Sequence, residues 1–152
     1  MTALTKKIII GVVALVLLVV IAIGIVIGFG VAGWKSAIRS GNEAQAVQHL
    51  KTIAILEIQY YNTHSRNFGT FEQLVKDGFD ARFSGNPPVV DGYVFTLRVI
   101  PKTASQQTSY TLNADPESSA SGKNHFYLDS TGGTIRVNAD QPAGATDPPI
   151  PD

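Results

Sequence analysis

The sequence predicts an α+β chain: a long N-terminal helix, part membrane-spanning and part amphipathic, packed on a small antiparallel β-sheet head. Three observations predict it. Ile8 to Gly33 is a run of 26 residues without a charged or polar side chain. Apolar residues then recur every three or four positions through about 42–63, the period of a helix with one buried face. From Gly92 onward the period changes to two, the pattern of half-buried strands.

The apolar run comes first. At about 1.5 Å per residue it would be roughly 39 Å long as a helix, against a hydrocarbon core of about 30 Å, so it is long enough to span with tilt. It also exceeds the roughly 7–15 residues of a signal-peptide core, which predicts an uncleaved anchor. Lys6 and Lys7 precede it. They predict a short cytoplasmic N-terminus, 1–7, and a head outside the cytoplasm, as for a single-pass protein of a bacterial inner membrane. Lys35 and Arg39 follow the run and weaken that asymmetry. Gly24, Gly28 and Ala32 recur every four residues. This spacing lets helix backbones approach closely, and it makes these three the candidate helix-packing residues. Glycine is also simply common in membrane helices.

Beyond the span, Val47, Leu50, Ala54, Ile58 and Tyr61 form one apolar row, and Ala46, Leu50, Ile53 and Tyr60 a second. Ser40 and Glu43 have the spacing of a capping box. Gly41 costs only about 1 kcal/mol inside a helix, so one continuous or slightly bent helix is the expectation. A short helix follows in "TFEQLVKDGF": Thr70 and Gln73 make a capping box, Gly78 occupies the place of a C-terminal glycine, and Phe71, Leu74 and Val75 face the core. "DARFSGNPPVVDG" reads as a loop. Strands are expected from Gly92 to Ile100, Ser109 to Ala114, Phe126 to Asp129 and Thr134 to Val137, in an antiparallel sheet of three or four strands. Residues 139–152 hold four prolines and a single large apolar side chain. They predict a disordered, acidic, Pro-rich tail.

The stretch "HFYLDSTGGTIRVN" admits three readings: a phosphate loop, a calcium loop or a hairpin. A single aspartate is too little charge for calcium, and no basic anchor or following helix supports phosphate. A hairpin is left, with Asp129, Gly132 and Gly133 in its turn, Arg136 facing Asp129, and Phe126, Leu128, Ile135 and Val137 leaning on the long helix.

Composition narrows the function classes. The chain has 12 basic and 12 acidic residues and no cysteine, which removes thiolate catalysis, disulfides and cysteine-ligated zinc. No basic stripe points to nucleic acid. His49, His64 and His125 lack metal-ligand spacing and read as structural. No G-x-S-x-G elbow and no phosphate-binding glycine motif precedes a soluble helix. The reading is a non-enzyme with no cofactor, no metal and no small-molecule substrate.

The order of these pieces resembles the type IV pilin and type II secretion pseudopilin family. "NEAQAVQHLKTIAILEIQYY" is similar to the outer half of the pilin helix, and "NFGTFEQLVKDGF" to the short helical segment of pilin heads. "GYVFTL", "YTLNADP" and "HFYLDSTGGTIRVN" are similar to their terminal sheet. The resemblance implies a pilin-like head over 34–138 and a structural subunit of a surface filament or secretion pseudopilus. Its implied partners are membrane lipid and copies of itself or other pilin-like subunits. The N-terminus departs from the family: no acidic residue precedes Glu43, and no glycine offers a clear processing site followed by a glutamate at the fifth position.

Overall fold

The computed structural model describes residues 3–151, with the side chains of 17–21 and 33–151. It is α+β, with a helix and a five-stranded antiparallel sheet. The chain divides into two compact units, one up to Ala37 and one from Ile38 onward. In the first, helix α1 (Ala3–Thr63) begins. The second holds the rest of α1, a six-residue helix α2 (Phe71–Lys76), a 3-10 turn (Ala81–Ser84) and the whole sheet.

Helix α1 passes Gly41 without a break. Glu43 is not used as a capping residue. Its Oε1 accepts from the backbone N–H groups of Lys123 (2.8 Å) and Asn124 (3.3 Å), and its Oε2 from Asn124 Nδ2 (2.9 Å). The second apolar row faces the sheet: Ala46, Leu50 and Ile53 are buried, and Tyr60 packs at its end. Ile58, expected in the buried stripe, is 57% exposed. It lies about 120° round the helix from Ala46 at 100° per residue, so burying the second row turns it outward.

α2 has the expected ends. Thr70 Oγ1 accepts from Gln73 N, and Gln73 Oε1 accepts from Thr70 N at 2.8 Å. Gly78 adopts φ +103°. Gly78 N donates to Val75 O and Phe79 N to Leu74 O, the paired bonds of a Schellman motif.

The strands follow in sequence order: β1 (Val89–Val90), β2 (Tyr93–Ile100), β3 (Ser109–Pro116), β4 (His125–Asp129) and β5 (Arg136–Asn138). β2 and β3 form the longest ladder, from Tyr93↔Pro116 to Ile100↔Ser109. Alternate residues Tyr93, Phe95, Tyr110, Leu112 and Ala114 are buried, as their period predicts. β1 corrects the reading of 80–92 as a plain loop. Asp91 (φ +50°) and Gly92 (φ +77°) join Val90 to its partner Tyr93, the two left-handed positions of a type I′ hairpin. Phe83, in the 3-10 turn, is fully buried and packs on Phe71, Phe79, Phe95 and His49, with ring centroids 4.7–5.5 Å apart.

The expected disordered tail is packed instead. Val137 N donates to Pro148 O and Ile150 N to Ile135 O, both at 2.9 Å. Asn113 Nδ2 donates to the carbonyl of Ala143, which is itself buried. Four prolines lower the number of donors the segment must satisfy and the entropy it loses on ordering. β5 offers an open edge for the donors and acceptors that remain.

Candidate functional site

The sequence-predicted site residues fall in two places. Gly24, Gly28 and Ala32 belong to α1, and their surroundings lie outside the described residues. Among the described residues, no helix is long and apolar enough to cross a membrane. Most of the expected span, 8–16 and 22–32, lies outside the described side chains. The described part of that run is Leu17, Leu18, Val19, Val20 and Ile21. All five are 50–66% exposed. At 100° per residue five consecutive positions go fully round a helix, so this piece is apolar on every side. That surface is the candidate functional site. A second exposed apolar surface, Ile55 and Ile58, lies on the α1 segment of the head.

The hairpin residues are together. Asp129 closes β4, and its Oδ1 accepts from the backbone N–H and the hydroxyl of Thr131, while Tyr127 Oη donates to Oδ2 at 3.1 Å. Partial burial alone would raise the Asp129 pKa. The hydrogen bonds from Thr131, Tyr127 and the Gly132 N–H outweigh it and hold the carboxyl below its ordinary value. Gly133 adopts φ +61°, whereas Gly132 has no left-handed conformation, so only one of the two glycines is required by the turn. The connection is longer than a tight turn, since the last β4–β5 pair is Tyr127↔Arg136. Arg136 does not reach Asp129. Its guanidinium donates to Asp147 O at 2.7 Å, fastening the C-terminal segment. Phe126, Leu128 and Ile135 are buried, and Val137 packs against the same core.

Each histidine has an aspartate partner that sequence spacing did not reveal. His49 Nε2 lies 2.8 Å from Asp91 Oδ2, His64 Nε2 lies 3.4 Å from Asp77 Oδ2, and His125 Nδ1 lies 2.6 Å from Asp115 Oδ1. The hydrogen bond with His49 holds the Asp91 carboxyl below the usual range despite burial, and Arg82 at 3.3 Å adds to it. These pairs tie α1 to the β1–β2 turn, the end of α1 to α2, and β3 to β4. Among the described residues, no group of three or more His, Cys, Asp or Glu could hold a metal.

The residue the sequence reading missed is Glu57. It lies on the buried line of α1, four residues after Ile53, and is fully buried. Its Oε2 accepts from Gly69 N at 2.9 Å. Its Oε1 has no hydrogen-bond partner among the described residues. Burial pushes its pKa up to about 7, partly offset by the Gly69 bond. Burial, with Glu57 and Asp129 nearby, in turn pushes the Tyr110 hydroxyl up to about 12. Glu57 fastens the 64–70 connection to the helix. The signal for it was positional: residue 57 continues the 46–50–53–60 line, where an apolar side chain would be expected.

No known protein family, no curated protein and no solved structure matches the chain.

Proposed function

We propose that the chain is a structural subunit: a membrane-anchored, pilin-like protein that assembles through its N-terminal helix into a surface filament or secretion pseudopilus. The observation that carries this reading is the all-round apolar exposure of Leu17–Ile21. A helix apolar on every side is stable only in lipid or among other helices. Each such side chain gains about 1.5–3 kcal/mol when covered. The surrounding run Ile8–Gly33 has the length of a span, and Lys6 and Lys7 favour a cytoplasmic N-terminus with the head in the periplasm or on the cell surface. In a filament the apolar helices would cover one another, and the heads, each closed by its own sheet, would form the outer layer. Electron microscopy of sheared surface material, labelled with an antibody to the head, tests this. Labelled filaments are expected, and protein found only as dispersed membrane monomers contradicts assembly.

One observation favours a second reading. No acidic residue precedes Glu43, so the chain lacks the glutamate that pilin-like subunits present near a processed N-terminus. The alternative is a non-polymerising, membrane-anchored binding module of an envelope or secretion complex. N-terminal sequencing of the mature protein separates the two: a start at Met1 or Thr2 favours the plain anchor, and a start within residues 5–12 favours processing and assembly.

A further inference from the structure

One cleft of the head has a chemistry that assembly does not use. It has a volume of about 360 Å³ and lies between Arg39 of α1 and the β3–β4 connection, with Ser118, Ser119, Gly122, Lys123 and His125 in its lining. Arg39 and Lys123 form no ion pair among the described residues. His125 has its Nδ1 on Asp115, which leaves Nε2 for a ligand. No carboxylate lines the cleft. Of the carboxylates next to it in the chain or bonded to its residues, Asp115 is engaged by His125 and Glu43 by the N–H groups of Lys123 and Asn124, while Glu117, between the lining residues Pro116 and Ser118, is exposed.

The loop that carries these groups is held from three sides. Asn42 Nδ2 donates to Ser121 O, and Tyr93 Oη donates to Asn124 O, both at 2.9 Å. Gly122 lies so close to the Tyr93 ring that a Cβ there would overlap the hydroxyl. The backbone from Ser121 to Asn124 is therefore fixed by the fold, and the side chains of Arg39, Ser119 and Lys123 extend from it or beside it exposed.

We propose that this cleft binds a phosphate group, free or esterified. The Arg39 guanidinium offers a planar fork matched to two oxygens of the group. Lys123 supplies a second positive charge, and the Ser119 hydroxyl supplies a donor to the remaining oxygens. Two cations suit a dianion, and no carboxylate is among the lining residues. The inference holds whether or not the chain assembles.

The test is a titration of the isotopically labelled full chain in uncharged detergent micelles, followed by NMR. One arm adds inorganic phosphate, and the other adds phosphatidylglycerol to the micelles. Saturable shifts at Ser119, Gly122, Lys123 and His125 are expected in at least one arm and not with chloride at equal ionic strength. The stronger arm identifies the source as soluble phosphate or lipid headgroup. The R39Q/K123Q double variant should bind at least about tenfold more weakly, with Gly133 resonances and thermal midpoint unchanged. Shifts that never saturate, that chloride reproduces, or that persist at equal affinity in the double variant overturn the proposal.

Discussion

Two segments of α1 solve the same problem in opposite ways. Over Ala46–Tyr60 the helix buries one narrow line, and the sheet of its own chain covers that line. Over Leu17–Ile21 it is apolar on all sides, and all five side chains are exposed. The first segment carries polar residues between its apolar ones because only one face leaves water. The second carries none; under the proposed assembly no face of it stays in water. Sequence pattern thus separates the two segments: a one-sided apolar line met by the sheet in the head, and an all-round apolar surface for which we propose an external partner.

The comparison can be broken at its strongest point first. Phe83→Ala removes the ring at the centre of the aromatic cluster and should cost the head about 3–5 kcal/mol, read as a loss of unfolding free energy of the full chain in detergent micelles. It should leave membrane fractionation unaltered. Leu18→Arg should do the reverse. Placing arginine near the middle of the proposed span costs about 2.5–3.5 kcal/mol of insertion, seen as a lower inserted fraction, while the head melts at its usual temperature.

Glu57 sharpens the same contrast within the head, because it is the one charged residue on the buried line. Its folded pKa of about 7 stands above the ordinary 4.5. The folded state therefore holds the proton more tightly, and stability falls as pH rises from about 4.5 to 7, by up to about 3 kcal/mol. The contribution is fully present below pH 4.5 and gone above 7. Glu57→Gln should remove this slope in denaturation curves recorded between pH 4.5 and 7.5. A variant whose slope matches the parent's would show that another group is responsible. The smallest effect belongs to the hairpin. Gly133→Val forces a branched residue into a left-handed conformation and should cost about 1–2 kcal/mol. Gly132→Val should be nearly neutral, since that position has no such requirement, and equal losses at the two sites would refute the difference.

Much of the head was legible because its signals are local. Thr70, Gln73 and Gly78 mark the ends of α2 within nine residues. The alternation in β2 and β3 needs only neighbouring positions. What was missed depends on contacts distant in sequence. Asp91–Gly92 is itself a hairpin signal, but the preceding Pro87–Pro88 masked the two-residue strand it joins. The C-terminal segment looked too poor in apolar residues to order, because composition does not show that β5 would supply its backbone partners. Glu43 reads as a capping residue until the β3–β4 connection is seen to deliver two N–H groups to it. Glu57 reads as one more polar residue of an amphipathic helix. Only the rotation of α1 that buries Ala46, Leu50 and Ile53, and exposes Ile58, places it in the core. The aspartate partners of the three histidines lie 42, 13 and 10 residues away in the chain, beyond any spacing rule.

The central claim is that the apolar segment of α1 is covered by something other than its own chain. The protein contains no cysteine, so a single introduced thiol reports its own surroundings. Leu18 is 66% exposed and Val89 of β1 is 48% exposed when the chain is considered alone. Reaction of Leu18→Cys and Val89→Cys with a water-soluble maleimide, in intact membranes or isolated filaments, measures whether both positions stay open to water. The account predicts rapid labelling at position 89 and almost none at position 18, with position 18 becoming reactive once the protein is denatured. Labelling of the two thiols at similar rates in the native material would contradict it.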